Sequence, residues 1–338
     1  MKICIIGSTG HYGIALNGIK DDKDTTIPGI APGSFGEDMS FLYERLRKEN
    51  PSLQLFDNYC NMLDKIKPDI AVVCCYFADQ SKIAGDALKR GIHVFMDKPV
   101  ATTMKDLEIL KSIYNESNAH LAAMLEIRST PWFLTAHRYV KEGSIGKIRL
   151  MNAQKSYKLG IRGEHYRKRG IYGGTIPWVG SHAIDWLSWI SSEKFLSVYA
   201  SHSNLYNQGH GDLEASALCH FIMTNEIFAS VSIDYLQPKT AKRHDDDRIR
   251  IVGTEGVIEV RDQKVYLTNA STVGVQELSL LEGGNIFESF LKQVKGDGKC
   301  MVSAEESFYN TEACLMARMS ADENKLVCFR FPATSLVP

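Results

Sequence analysis

The chain predicts a doubly wound parallel α/β sheet followed by an α+β domain built on a mostly antiparallel sheet. Three features predict it. Short apolar runs alternate with helix-patterned segments through residue 124, a glycine-rich turn follows the first of those runs, and from Ile148 onward apolar residues alternate in strand-like stretches. The boundary therefore falls near residues 122 to 128, dividing the chain into 1–124 and 125–338.

Residues 2 to 6 (Lys2-Ile3-Cys4-Ile5-Ile6) are a strand, Gly7-Ser8-Thr9-Gly10-His11-Tyr12-Gly13 is a turn, and Ile14 to Lys20 is a helix. Strand, glycine turn and helix in that order suit a dinucleotide, because a tight turn brings backbone N–H groups and a helix N-terminus against the pyrophosphate. The spacing is G-x-x-G-x-x-G in place of G-x-G-x-x-G. A second strand, Thr25 to Ile30, runs into Ala31-Pro32-Gly33-Ser34 without the acid that usually holds the adenosine ribose. Ser34 can accept a 2′-phosphate, or Asp38 can fold back to the ribose, so NAD and NADP both stay open.

Leu53 to Phe56 is a strand, Cys60 to Lys67 a helix, and Ile70 to Cys75 a strand buried on both faces. Gln80 to Arg90 is a helix ended by Gly91, and His93 to Met96 is the next strand. Asp97-Lys98-Pro99 stands at its carboxyl end, where ligands of such sheets bind, so topology directs Lys98 to the cofactor crevice. Met104 to Asn115 is a helix, Ala119 to Met124 the last strand of the domain, and Trp132 to Glu142 a helix leading out.

Seven strand-like runs follow between Arg149 and Thr268, and 285–295 and 305–320 are helical segments placed to pack back on the first domain. Lys242 to Arg248 reads as a charged hairpin tip. In Tyr172-Gly173-Gly174-Thr175-Ile176-Pro177-Trp178-Val179-Gly180-Ser181-His182-Ala183-Ile184-Asp185, a helix starting near residue 176 places Trp178, His182 and Asp185 on one face. His182 is either a hydrogen-bonded core histidine or an acid–base group. Ahead of it lie Arg162, His165, Tyr166, Arg167, Lys168 and Arg169. They form either a solvated basic loop or a site for a substrate carboxylate or phosphate.

The bulk numbers narrow the function. With 338 residues, 44% apolar and 23% charged content, the chain can fill two cores, and a net charge of -1 gives no basic face for nucleic acid or an anionic membrane. The first apolar run is too short for a signal peptide, and nothing approaches the roughly 20 apolar residues of a membrane span. A cytoplasmic protein acting on a small molecule is expected. The 8 cysteines lack a Cys-x-x-Cys pair, which points to free thiols and no metal.

Five features together resemble the Gfo/Idh/MocA family of NAD(P)-dependent oxidoreductases. They are the first glycine turn, Asp97-Lys98-Pro99 where the family has Glu-Lys-Pro, Arg128 with Pro131, the Gly173-Gly174…Gly180-x-His182-x-x-Asp185 segment, and Gly253-Thr254-Glu255-Gly256. The resemblance implies a Rossmann domain that binds NAD or NADP, then an open-sheet domain that covers the nicotinamide and forms a homodimer or homotetramer. By matching position it implies Lys98, His182 and Asp185 as catalytic; Gly7, Ser8, Thr9, Gly10, His11, Tyr12 and Gly13 of the turn, with Ser34, Asp97 and Lys98, are the cofactor-binding candidates. Arg128, Trp178, Arg162 and His165 are the substrate candidates. The expected reaction moves hydride to or from a secondary carbinol of a sugar, sugar acid or polyol. Two alternatives accompany it, a non-catalytic NAD(P)-binding sensor and a redox-neutral glycosidase or epimerase. The altered glycine spacing and Trp178 motivate the first, because Trp178 stands where sugar-alcohol dehydrogenases of the family usually carry an aspartate and an indole cannot accept a proton. The second is implied by the resemblance to members that work through a transient keto intermediate.

Overall fold

A computed structural model describes residues 1–330. In chain order the first part comprises β1 (Lys2–Ile6), α1 (Gly13–Gly18), β2 (Thr26–Ala31), α2 (Ser40–Glu49), β3 (Gln54–Leu55), α3 (Tyr59–Ile66), β4 (Ile70–Val73), α4 (Phe77–Leu88), β5 (His93–Met96), α5 (Met104–Asn115) and β6 (Leu121–Ala123). The six strands form one sheet in the order β3-β2-β1-β4-β5-β6, every neighbouring pair parallel. All four residues of β4 are buried, as expected of a strand covered on both faces. Helix starts follow local chemistry: the Asn58 side chain accepts from the Asn61 N–H, and Thr103 from the Asp106 N–H.

The chain continues through α6 (Pro131–Lys141), β7 (Ile148–Tyr157), α7 (Arg169–Tyr172), α8 (Thr175–Trp178), α9 (Gly180–Ser191), β8 (Phe195–Ser203), β9 (Ser216–Met223), β10 (Ile227–Asp234), β11 (Asp245–Gly253), β12 (Gly256–Arg261), β13 (Lys264–Asn269), β14 (Gln276–Glu277), α10 (Ile286–Lys295), α11 (Ala304–Glu323) and β15 (Val327–Cys328). Nine strands make a second sheet, β14-β13-β12-β11-β7-β10-β9-β8-β15, antiparallel except where β10 runs parallel to β7. Its strands alternate buried and exposed positions, so one face carries the core while Leu150, Leu218 and Phe228 stand exposed on the other.

The chain separates into two compact units. The first holds Met1–Ser129, Lys168–Gly173 and Gly284–Glu312; the second holds the intervening segments and the residues after Glu312. The basic run 162–169 is thereby split between them.

Two expectations need correction. Asp245 to Arg248 is no hairpin tip: it opens β11, and Asp245, Asp246 and Asp247 pair with Tyr157, Ser156 and Lys155 of β7. The helix expected from residue 176 starts at Thr175 and is divided into α8 and α9 at Val179. All 8 cysteines are free thiols, and no helix among the described residues is long and apolar enough to cross a membrane.

Candidate active site

In the first unit β1 ends at Ile6 and the chain turns at Gly7, whose φ of +91° and a Cβ that would lie 2.5 Å from the Cys75 nitrogen admit only glycine. The Gly7 N–H donates to the Ala31 carbonyl at 2.9 Å, and the Thr9 and Gly10 N–H groups donate to the Cys74 carbonyl at 3.1 and 3.0 Å. These bonds tie the turn to the ends of β2 and β4. A Cβ on Gly10 would stand 2.4 Å from Asp97 Oδ2. That carboxylate, fully buried, accepts the His11 N–H at 2.9 Å on Oδ2 and the Lys98 N–H at 2.9 Å on Oδ1. The His11 imidazole Nδ1 lies 2.9 Å from the same Oδ2. Burial alone would raise the Asp97 pKa, yet His11, aided by Lys98, holds it below the usual carboxylate range. The Asp97 charge in turn raises the pKa of His11, against its desolvation. Asp97 thus fastens the first turn to the Lys98 segment.

A dinucleotide fits the groups that remain. The N–H groups of Tyr12 and Gly13 hydrogen-bond to no described residue, and a Cβ on Gly13 would meet open space, so the mouth of α1 retains donors and room for a pyrophosphate. The first acid after β2 is Glu37. This buried side chain folds back so that Oε1 accepts from the Ser8 N–H at 2.8 Å and Thr9 Oγ1 at 3.1 Å, while Oε2 accepts from the Gly33 and Ser34 N–H groups at 3.0 and 3.2 Å. Asp38, the alternative named from sequence, is exposed and accepts instead from the Ser40 N–H at 2.9 Å. Ser34 is buried and its hydroxyl accepts the Tyr76 N–H at 3.1 Å, so it is committed within the fold.

Lys98 is 1% exposed, at the carboxyl end of β5, and its peptide bond to Pro99 is cis. Arg128, a substrate candidate from the sequence, lies within the first unit. It is 2% exposed and its guanidinium donates to the Glu306 carboxylate at 2.6 Å and to the Met301 carbonyl at 3.1 Å, pinning the C-terminal segment to the first unit.

In the second unit His182 and Asp185 are both 1% exposed on α9. Val179 keeps helical angles, φ −78° and ψ −44°, so Trp178 and His182 stay one turn apart on one face. Trp178 is buried inside a cluster of rings, 5.0 Å from Tyr166, 6.2 Å from Tyr235 and 6.4 Å from Tyr157 between centroids. The Arg162 guanidinium lies over three of them, 5.0 Å from Tyr235, 5.4 Å from Trp178 and 5.8 Å from Tyr166. His165 packs on Tyr166 at 4.2 Å, and burial pushes its pKa down. Arg167 is engaged elsewhere, by Glu164 at 3.1 Å and the Gly209 carbonyl at 3.1 Å.

Sequence reasoning overlooked Lys155 and Asp247, which form a buried ion pair at 2.6 Å. The signal was present. Met151, Ala153 and Lys155 share one face of β7, and Asp247, Ile249 and Ile251 one face of β11, by the two-residue period of a strand. Among the described residues no group of three potential ligands could hold a metal.

Two family models match this chain. A family model for the NAD-binding Rossmann fold of an oxidoreductase family matches residues 1–124, and one for the GFO/IDH/MocA C-terminal domain matches residues 133–259. A Thermotoga maritima protein described as a candidate oxidoreductase is 52% identical, with a TM-score of 0.94 over 97% of this chain and 100% of that one. Glycosyl hydrolase family 109 protein 1 of Akkermansia muciniphila is 25% identical over 126 residues, 37% of this chain and 25% of that protein. The scyllo-inositol 2-dehydrogenase (NADP(+)) IolW of Bacillus subtilis is 30% identical over 99 residues, 29% of this chain and 28% of that protein. The matched stretches span between 19% and 39% of the curated relatives' lengths.

Proposed function

The chain belongs to the Gfo/Idh/MocA family of NAD(P)-dependent oxidoreductases, and on that premise we propose that it moves a hydride to or from a secondary carbinol of a sugar, sugar acid or polyol. The observation that carries this reading is the lock at Asp97. One buried carboxylate holds both the Lys98 backbone and His11 of the glycine turn, which anchors an ammonium at the edge of the dinucleotide turn. Bound NAD(P) supplies the hydride acceptor or donor.

The protein's own groups handle the proton and the charge. In this proposal His182 takes the carbinol proton during oxidation and returns it during reduction, a task suited to an imidazole. The Lys98 ammonium stabilises the developing alkoxide. Asp185 orients His182, and Asp97 is a positioning residue for Lys98. Glu37 favours NAD, because a 2′-phosphate brought to the ribose position would face a buried carboxylate.

The test is a panel of polyols, aldoses, uronates, aldonates and inositols assayed with both cofactors. Lys98→Ala and His182→Ala should each lower kcat/KM by about 10²- to 10⁴-fold. Turnover unaffected by either change would sink the assignment of roles. Sugar consumed without net change in NADH would replace the net dehydrogenase with the redox-neutral reaction.

A further inference from the structure

We infer that the Arg162 guanidinium, framed by Tyr166, Trp178 and Tyr235, is the recognition site for a sugar carboxylate, which makes the substrate an aldonate or uronate and not a neutral sugar or polyol. This rests on the oxidoreductase reading above and narrows its substrate class.

A guanidinium carries five N–H donors in a planar fork. Arg162 uses one of its three nitrogens, Nη2, which donates to the Lys158 carbonyl at 3.2 Å. Its Nε is buried with no hydrogen-bond partner, and no acid among the described residues lies within ion-pair distance. The Tyr235 hydroxyl beside it is likewise buried without a partner. Three rings attract the cation but satisfy none of its N–H groups, so the site combines an uncompensated positive charge with unused donors.

The surrounding charges leave that cation available. Lys155 is neutralised by Asp247, and the Lys158 ammonium donates to the Ala241 carbonyl. Of the nearby acids, Glu214 accepts the Thr175 N–H at 2.9 Å, and Asp245 lies in the field of His244. The pKa of His244 is pushed down, first by burial and then by the positive field of Arg162.

A planar fork pairs with a carboxylate through two parallel hydrogen bonds. A single half-buried guanidinium matches a monoanion, since desolvating a phosphate dianion costs more than one opposite charge returns. The flanking indole and phenol rings suit the apolar face of a pyranose. Tyr235 also lines a cavity of about 700 Å³ shared with Lys158, Leu236 and Lys239. Trp178 stands one helical turn before His182, so the cluster adjoins the residue assigned to proton exchange.

Matched pairs decide the matter. D-gluconate against D-sorbitol, D-glucuronate against D-glucose and D-galacturonate against D-galactose are compared for kcat/KM, with glucose 6-phosphate as the phosphate arm. The wild type should prefer the acids at least tenfold. Arg162→Gln should cut that preference at least 30-fold, mainly through KM, and Arg162→Lys, which keeps the charge but not the fork, should recover part of it. If Arg162→Gln does not fold, Arg162→Lys alone must show a loss confined to the acids. Preference for neutral sugars or the sugar phosphate, or equal losses on both members of each pair, overturns the inference. Should nothing be turned over, the oxidoreductase reading fails on its own. Calorimetry of D-gluconate and D-glucuronate on the NADH-loaded protein then decides: acid binding lost in Arg162→Gln sustains the site, and no acid binding overturns it.

Discussion

Two polar clusters of this protein are built on opposite rules. Around the glycine turn each charge is closed by backbone: Glu37 accepts three main-chain N–H groups and Asp97 accepts two, all between 2.8 and 3.2 Å. In the second unit two cations, buried Lys155 and half-buried Arg162, are lined by rings. Lys155 lies 4.8 Å from the Tyr157 ring and 5.9 Å from that of Trp186, and Arg162 lies over three rings. Backbone closure fixes a shape, which suits a cofactor that never changes. Aromatic framing fixes polarity and leaves the outline to side chains, which suits a substrate that differs between relatives.

The sharpest way to break the comparison is to remove a cation from the aromatic half. Lys155 is 1% and Asp247 7% exposed, and their strands pair in register. Lys155→Met leaves an uncompensated buried carboxylate, a loss of about 3–5 kcal/mol. The melting transition of the second unit should fall by about 10 °C. The double change Lys155→Met with Asp247→Leu should regain most of it, because the pair offsets its own desolvation only in part. A single variant that melts within about 2 °C of wild type would show that this pair is dispensable to the unit.

That pair also marks where sequence and structure part company. The parallel sheet was legible because β1, β4 and β5 are short apolar runs, β1 followed at once by Gly7 and β5 set between Gly91 and Asp97. The lysine at the end of β5 was placed by topology alone. Glu37 lies beyond the end of β2, where its place in the sequence does not show which backbone it meets. The chain between Ala31 and Ser40 forms a loop that returns the carboxylate to Ser8, and only the folded backbone shows this. Asp247 was hidden by its neighbours: a run of three aspartates looks like solvated surface until strand alternation is applied to it. The partners of Trp178 lie on two stretches of chain, 157–166 and the end of β10 at Tyr235, and no local pattern joins the two.

On the backbone-closed side the expected effects are smaller and selective. Glu37→Gln removes the charge while keeping the side chain's length. Loss of one acceptor weakens the turn for both cofactors alike, so the ratio of kcat/KM for NAD to that for NADP isolates the charge. That ratio should fall about tenfold, equivalent to ~1.4 kcal/mol. A ratio that stays constant, or one favouring NADP in the wild type, would remove Glu37 as the discriminating residue.

The smallest effect expected is a pH dependence at His11. Its pKa is raised above 6.5 by Asp97, so its stabilising contribution is complete below the unfolded value and disappears as pH rises through the folded one. Asp97, held below 3.8 by His11 against the opposing pull of burial, contributes above that value and loses its contribution only as pH falls through its lowered pKa. Both charges coexist between these limits. The melting temperature of the wild type should exceed that of His11→Asn most below about pH 6.5, and the gap should narrow as pH rises through the raised pKa of His11 and the imidazolium loses its proton. The backbone bond from residue 11 to Asp97 survives the substitution, which is why the expected difference is modest even at its maximum. A gap that widens with pH would mean that neutral His11, and not the ion pair, holds Asp97 against the turn.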